Sequence, residues 1–382
     1  MRVGTFVLAG QFAGQTHDEV LHRVVRSAEV AEEAGLDAVW LAEHHFIPYG
    51  ICPSAATLAG FLLGRTRRIG VGTAVSVLPT THPVSLGEQA ALLHLTSEGR
   101  FTLGVGRGGP WIDLSVFGTG LDAYERDFPE ALDLLLRWLR EERVGAAGER
   151  FRFPSVPVVP RPDAGPDGAG PPVVMACTSP GGVRTAALRG LPMLLGMHAD
   201  DEERAEMVAL WRRTALESGA EPARVGAAGH VAVGVVQVGD SRSEAVSVLR
   251  RSMPEWFRRG LGAYRTADGR PRRMRDPLAY TELLCEMHPV GPPRLCADRL
   301  AGTAERTGVT RFALLPEGSG RLDATEENLR RLGAEVLPLL PRPTPGAAAP
   351  GPGRGEAAPP AARSASGRTE VSVSSPAVRA TG

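Results

Sequence analysis

The chain contains no lysine, so its 43 basic residues are all arginine. That absence excludes lysine-based Schiff-base chemistry and the lysine of a phosphate-binding P-loop. Cysteine is scarce as well. Cys52, Cys177, Cys285 and Cys296 stand far apart and form no C-x-x-C pair, which argues against a zinc site or a disulfide framework. Neither sign of charge dominates. The 43 acidic residues balance the arginines, so no global field draws the protein to nucleic acid or anionic membrane. No apolar run reaches the roughly 18 residues of a membrane span. The opening MRVGTFVLAGQF is too short an apolar run for a signal peptide. The expectation is a reduced, cytoplasmic protein without a metal.

What is present suits a globular chain: 43% apolar and 23% charged residues over 382 positions, enough to bury a sizeable core. The end differs. From Pro343 the sequence is rich in Pro, Gly, Ala and Ser with almost no large apolar residue, and such a segment cannot offset its ordering entropy by burial. The reading is a folded domain over 1–342 and a disordered tail over 343–382.

Within the folded part, short apolar runs alternate with amphipathic segments. The runs are Val3–Leu8, Ala38–Ala42, Ile69–Leu78, Phe101–Val105, Val173–Ala176, Met193–Leu195, His230–Val238 and Arg311–Leu315. They are nearly continuous, as in strands buried on both faces. Thr16 and Glu19 carry the spacing of a capping box, Val20, Leu21, Val24, Val25, Ala28 and Ala31 are read as one helical face, and Gly35 ends it. Further helices are expected near Ser54–Leu63, from Pro83, over about Glu125–Arg140, near Gly181–Arg189, and after a second capping pair, Asp323 and Glu326. This alternation predicts an α/β fold, a (β/α)8 TIM barrel, with a doubly wound sheet as the alternative. Two stretches, Arg143–Pro172 and Arg258–Pro293, exceed ordinary connections and are read as insertions at the C-terminal face of the barrel.

Active-site residues of such barrels sit at the C-terminal ends of the strands. The second run ends in Glu43-His44-His45-Phe46, which makes His44 the candidate catalytic residue and His45 its structural neighbour. The fourth ends in Gly104-Val105-Gly106-Arg107-Gly108-Gly109. This matches G-x-G-x-x-G by letter, but it comes fourth, and Pro110-Trp111 follows where a dinucleotide fold needs a helix. The glycines let a flat ligand approach the strand end, and Arg107 supplies a fixed cation. The fifth ends in Thr178-Ser179-Pro180-Gly181-Gly182. There Ser179 can cap a helix whose free N–H groups at Gly181 and Gly182 can face an anion, strengthened by Arg126 if it converges. A phosphate there and a flat ligand over Gly106 suggest a mononucleotide cofactor.

The segments GLDAVWLAEHHF (35–46), VGTAVSVLPTTHPV (71–84), SEGRFTLGVGRG (97–108), VFGTG (116–120), GLPMLL (190–195) and HPVGPP (288–293) occur in this order. In this combination the chain resembles the bacterial luciferase-like monooxygenases, the luciferase subunits among them. The resemblance implies a barrel that binds reduced FMN (FMNH2), delivered by a separate NAD(P)H-dependent flavin reductase. It implies reaction with O2 through a flavin C4a-hydroperoxide to oxygenate an organic substrate. It assigns proton transfer to His44 and phosphate contacts to Arg107, Arg126 and Ser179. It sets the flavin ring over Ala74 and Val75, where the family has a non-proline cis peptide, and lines the substrate pocket with Phe6, Met197 and Trp256. It further implies a homodimer in which Glu88, on the helix from Pro83, reaches His45 of the other copy.

The sequence departs from luciferases at several points. Gly106 stands where they carry a cysteine, which is read as space beside the flavin for a wide substrate. Thr178 replaces a glutamate, and the lid region is shorter, with Arg265, Arg270, Arg272, Arg273 and Arg275. These departures count against light emission from fatty aldehydes. They favour hydroxylation of, or Baeyer–Villiger insertion into, a bulky metabolite such as a polyketide-type intermediate of secondary metabolism. Two alternatives stay open: an oxidoreductase of the same superfamily using F420, and a non-catalytic luciferase-like partner subunit.

Overall fold

The computed structural model describes residues 1–161, 170–270 and 274–341, and in it eight parallel strands close into a barrel. They are β1 (Arg2–Val7), β2 (Ala38–Leu41), β3 (Gly70–Thr73), β4 (Phe101–Gly106), β5 (Val173–Cys177), β6 (Met193–Leu195), β7 (Val231–Val235) and β8 (Arg311–Leu315). Around the barrel β1 lies between β2 and β8, through Thr5↔Val39 and Gly4↔Ala313. The ring closes where Val71 of β3 meets Phe101 of β4. The apolar runs expected to be strands are these strands, with two interruptions. Ile69–Leu78 is broken by a cis peptide between Ala74 and Val75, after which Ser76–Val77 continues along β4. His230–Val238 is broken at Val236, and Gln237–Val238 then pairs with Val290–Gly291.

The helices cover the outside: α1 (His17–Glu33), α2 (Ala55–Arg65), α3 (Pro83–Thr96), α4 (Phe128–Trp138), α5 (Pro180–Ala187), α6 (Asp201–Glu217), α7 (Arg242–Gly262), α8 (Pro277–Met287), α9 (Pro293–Thr307) and α10 (Leu322–Arg331). Thr16 and Glu19 form the expected capping box on α1, and Gly35 follows its end at φ +78°. The expected helix from Glu125 starts instead at Phe128, because Gly120–Glu125 forms a separate short turn of helix. The second capping pair does not form. Asp323 binds Arg321 at 3.0 Å and the adjacent Ala324 N–H at 2.8 Å, and Glu326 binds Arg26 at 3.1 Å, so the two acids do not form a capping box at the start of α10.

Between strands and helices lies an apolar core that includes Phe101, Leu103, Val105, Leu132 and Leu135, all fully buried. The barrel is tightest between β3 and β4. The Thr73 hydroxyl donates to the Gly104 carbonyl at 2.7 Å and accepts its N–H at 2.9 Å. A Cβ at Gly104 would stand 1.8 Å from the Thr73 carbonyl oxygen, so only glycine fits. Of the two long connections, the first carries an antiparallel hairpin, Arg143–Ala147 with Arg152–Pro157, and the second carries α8. The tail expected over 343–382 lies outside the described residues, as do Arg272 and Arg273. Among the described residues no helix is long and apolar enough to cross a membrane, and no cluster of three metal-ligating side chains occurs.

Candidate active site

A cavity of about 620 Å³ opens at the C-terminal ends of the strands. Its floor is apolar: Phe6 and Leu8 from the end of β1, Ala74 and Val75 after β3, Leu194 of β6 and Val233 of β7. Its upper wall comes from the loops and from the long connection after α7. Of the residues singled out from sequence, the structure brings His44, His45, Phe6, Ala74, Val75, Thr178 and Met197 to this one cavity.

His44 sits just beyond β2, held by its N–H to the Cys52 carbonyl at 2.9 Å and edge-on to the Tyr49 ring. Its Nδ1 is buried without a hydrogen-bond partner and lies so close to Gly50 that a Cβ there would be 2.7 Å away. Burial, with His45 beside it, pushes the imidazole pKa down to about 4. The ring is therefore neutral at pH 7 and able to accept a proton.

His45 has a carboxylate beside it within its own chain. Its Nε2 is 3.6 Å from Glu43 of the same chain, its side chain is only 7% exposed, and Phe117 covers it edge-on at 5.0 Å. Glu88 is exposed on α3. The carboxylate beside His45 thus comes from its own strand end. Glu43 also accepts the N–H groups of Ala55 and Val77, both at 3.0 Å, tying the start of α2 and the segment after β3 to the end of β2. Sequence reasoning passed over Glu43, although it stands in the same EHH run.

The anion end shows a mixed picture. Ser179 caps α5 by accepting the Gly182 N–H at 3.3 Å, and a Cβ at Gly181 would meet nothing within 4 Å. Arg107 is exposed just past β4, its guanidinium 4.4 Å over the Tyr124 ring, and among the described residues it makes no ion pair. Arg126 is engaged by neighbouring carboxylates. It is 65% exposed, with Asp122 and Asp127 both at 3.1 Å, so its charge is already answered.

Two further expectations are corrected. Gly106 leaves no free space: a Cβ there would lie 2.5 Å from Val75 Cγ2, because Val75 fills the gap. Trp256 does not line the cavity. It is stacked behind Tyr49 at 5.0 Å, and Tyr49 presents the face that Trp256 was expected to present. We expect Gly106→Ala to push Val75 toward the cavity and cost about 1–3 kcal/mol of stability. Thermal unfolding with and without FMN checks this, and an unchanged melting temperature and FMN affinity would show that Val75 can yield. The residues missed from sequence are aromatic: Tyr49, Trp111, Phe257, Tyr264 and Tyr280. Their only signal was position, after a strand end or inside the long second connection.

The profile of the luciferase-like monooxygenase family matches residues 1–311. The alkanal monooxygenase alpha chain of the Kryptophanaron alfredi symbiont is 28% identical over 89% of this chain and 98% of its own length. Among solved structures, the monooxygenase RslO1 from Streptomyces bottropensis superposes with a TM-score of 0.75 at 22% identity, covering 88% of this chain and 99% of its own. The oxygenating constituent of 3,6-diketocamphane monooxygenase from Pseudomonas putida, a type II Baeyer–Villiger enzyme in complex with FMN, follows at 0.70 and 18%, over 90% and 99% of the two chains. An F420-dependent secondary alcohol dehydrogenase shares the fold at 0.67 and 18%, over 89% and 99%.

Proposed function

Because the chain belongs to the luciferase-like monooxygenase family, and so is a flavin-dependent enzyme, we propose that it is the FMNH2-dependent oxygenating component of a two-component system. A separate NAD(P)H-dependent flavin reductase supplies the reduced flavin, and the substrate is a bulky organic metabolite. The observation that carries this reading is His44, a buried imidazole kept neutral on the wall of a cavity whose floor is apolar.

The residues present fit a flavin. Ala74 and Val75 offer a floor without bulk, Thr178 lines the cavity, and the Gly181 N–H in the first turn of α5 is a backbone donor that no side chain crowds. Arg107, free of any described carboxylate, is the cation for the phosphate. When bound, reduced flavin supplies the electrons that activate O2. His44 then holds or accepts a proton beside the ring, Glu43 keeps the EHH segment in place, and the loops above exclude water. The alkanal monooxygenase and diketocamphane monooxygenase likenesses support oxygenation, and their differing substrates leave hydroxylation and Baeyer–Villiger insertion both within reach.

Arg107→Ala tests the phosphate assignment. FMN affinity should fall by roughly 1.5–3 kcal/mol while riboflavin, which lacks the phosphate, changes little. Equal losses for both ligands would remove Arg107 from the site. Anaerobic titration with FMNH2 and with F420H2 tests the cofactor itself, and a preference for F420H2 would move the chain to hydride transfer without O2.

The same reading includes a homodimer. Glu88, Leu92 and Leu95 are spaced to share one stripe of α3. Leu92 and Leu95 are 53% and 42% exposed, and Phe61 on neighbouring α2 is 54% exposed. An apolar surface of this kind marks a contact face. Leu92→Asp should shift the protein toward monomer in sedimentation at micromolar concentration. A wild type that sediments as a monomer would end the proposal.

A further inference from the structure

Five rings form an unbroken strip along the upper wall of the cavity. Successive centroids are 4.5 Å apart from Trp111 to Tyr264, 6.5 Å to Tyr49, 6.4 Å to Phe257 and 5.0 Å to Tyr280. The strip ends at a charge: the Arg275 guanidinium lies 5.8 Å over the Tyr280 ring. All six residues line the cavity. They come from separate places, namely the loops after β2 and β4, the end of α7, the turn behind it, and α8 with the residues before it.

Backbone bonds hold the Trp111 loop against the turn that carries Tyr264. The Ile112 N–H donates to the Arg265 carbonyl at 3.0 Å, the Ala267 N–H donates to the Pro110 carbonyl at 2.8 Å, and Trp111 and Thr266 form an antiparallel bridge. The Trp111–Tyr264 end of the strip is thus held by the backbone itself.

The charged groups around the cavity differ in how far they are already engaged. Glu43 accepts two backbone N–H groups and stands by His45, and the Asp113 carboxylate also lies near His45. Arg265 donates to the Gly262 and Tyr264 carbonyls, both at 3.0 Å. Arg275 has no carboxylate within ion-pair distance among the described residues. A guanidinium resting on a ring keeps its in-plane donors for a planar acceptor, and its fork matches a carboxylate. An anion is therefore drawn to the Arg275 end and repelled from the Glu43 and Asp113 end.

This step rests on the flavin reading above, which gives the apolar floor to the flavin ring. We infer that the aromatic strip receives the organic substrate, and that the substrate is a flat aromatic acid with its rings along the strip and its carboxylate at Arg275. An alkyl chain needs only an apolar wall. A row of ring faces and edges rewards a planar, conjugated partner over a chain of equal area.

The test uses the full chain saturated with FMN and three probes: 2-naphthoate, its neutral amide 2-naphthamide, and decanoate, an acid without rings. Calorimetry should show 2-naphthoate binding roughly tenfold or more tighter than either of the others. Arg275→Gln should abolish the preference for acid over amide while FMN affinity stays within twofold. Tyr264→Leu should reduce the preference for naphthoate over decanoate. Equal binding of acid and amide, equal binding of naphthoate and decanoate, or displacement of naphthoate by FMN would overturn the inference. So would an Arg275→Gln variant that loses FMN instead of naphthoate, since Arg275 would then serve the flavin phosphate. A separate FMN titration distinguishes the two readings. A chain that binds FMN but shows no naphthoate preference overturns this inference alone, and a chain that never binds FMN overturns the reading it rests on.

Discussion

His44→Ala should lower turnover by ~10²–10⁴-fold, the range of general acid–base catalysis, with reduced-flavin affinity changed only a few-fold. The argument starts from position. The ring stands at the end of β2 on the cavity wall, and its backbone is fixed by the Cys52 carbonyl rather than by its own side chain. Removing the imidazole therefore leaves the EHH segment where it is, tied by Glu43 to Ala55 and Val77. The floor that would carry the flavin, Ala74 and Val75, does not depend on His44 either. What is lost is one neutral proton acceptor. Since its pKa is pushed down to about 4, wild-type turnover should show no inflection near pH 6.5 from this group in the free enzyme. Turnover of the alanine variant at the wild-type rate, or a loss of flavin binding that matches the loss of rate, would remove His44 from proton transfer.

The barrel was legible because both faces of every strand are buried. β7, Val231–Val235, is buried at all five positions, and such runs stand out as uninterrupted apolar letters. The capping box at Thr16 and the proline opening α3 were legible for a different reason: their chemistry is local. His44 could be singled out because strand ends map onto one face of the fold. What failed depended on contacts between distant segments. Gly106 reads as a gap in the sequence, and only the fold brings Val75 into it. Arg126 reads as a free cation until Asp122 and Asp127 close on it. Trp256 was the conspicuous aromatic, yet Tyr49 from another loop stands in front of it. Asp323 had cap spacing, but Arg321 two residues away and the adjacent Ala324 N–H share its carboxylate. In each case a partner remote in sequence, or a stronger charged neighbour, decided where the side chain went.

The protein should lose stability as pH falls from about 6.5 toward 4, before most carboxylates are protonated. Three buried histidines carry this. His44 and His230 are pushed down to about 4, and His288 to about 3, in each case chiefly by burial. His44 faces His45, His230 faces Arg212, and His288 faces Arg204, Asp201 and Arg299, with the cations adding to the depression and Asp201 opposing it. Burial favours the neutral form of each ring. The His230 Nδ1 accepts the Met193 N–H at 3.0 Å, which only the neutral ring can do, whereas the Met197 carbonyl 2.7 Å from the His288 Nε2 opposes the depression that burial imposes there. The unfolded chain begins to take up protons near pH 6.5, whereas the folded chain resists until about 4. The unfolded state then binds more protons, and stability rises with pH across that window. The contribution is complete above 6.5 and lost as pH drops through the folded values. One pKa unit is worth 1.36 kcal/mol, so each histidine contributes on the order of 3 kcal/mol, large against the 5–15 kcal/mol of a typical domain. Glu317 works the other way. Buried beside Arg23, its carboxyl is raised by burial, and its protonation in acid offsets part of the loss. Urea unfolding at pH 7, 6 and 5 should therefore give a falling free energy. His230→Gln, whose amide oxygen can still accept the Met193 N–H, should flatten that fall even if it is less stable at pH 7. A free energy of unfolding that stays level from pH 7 to 5 would show that these rings already share their protons with the fold.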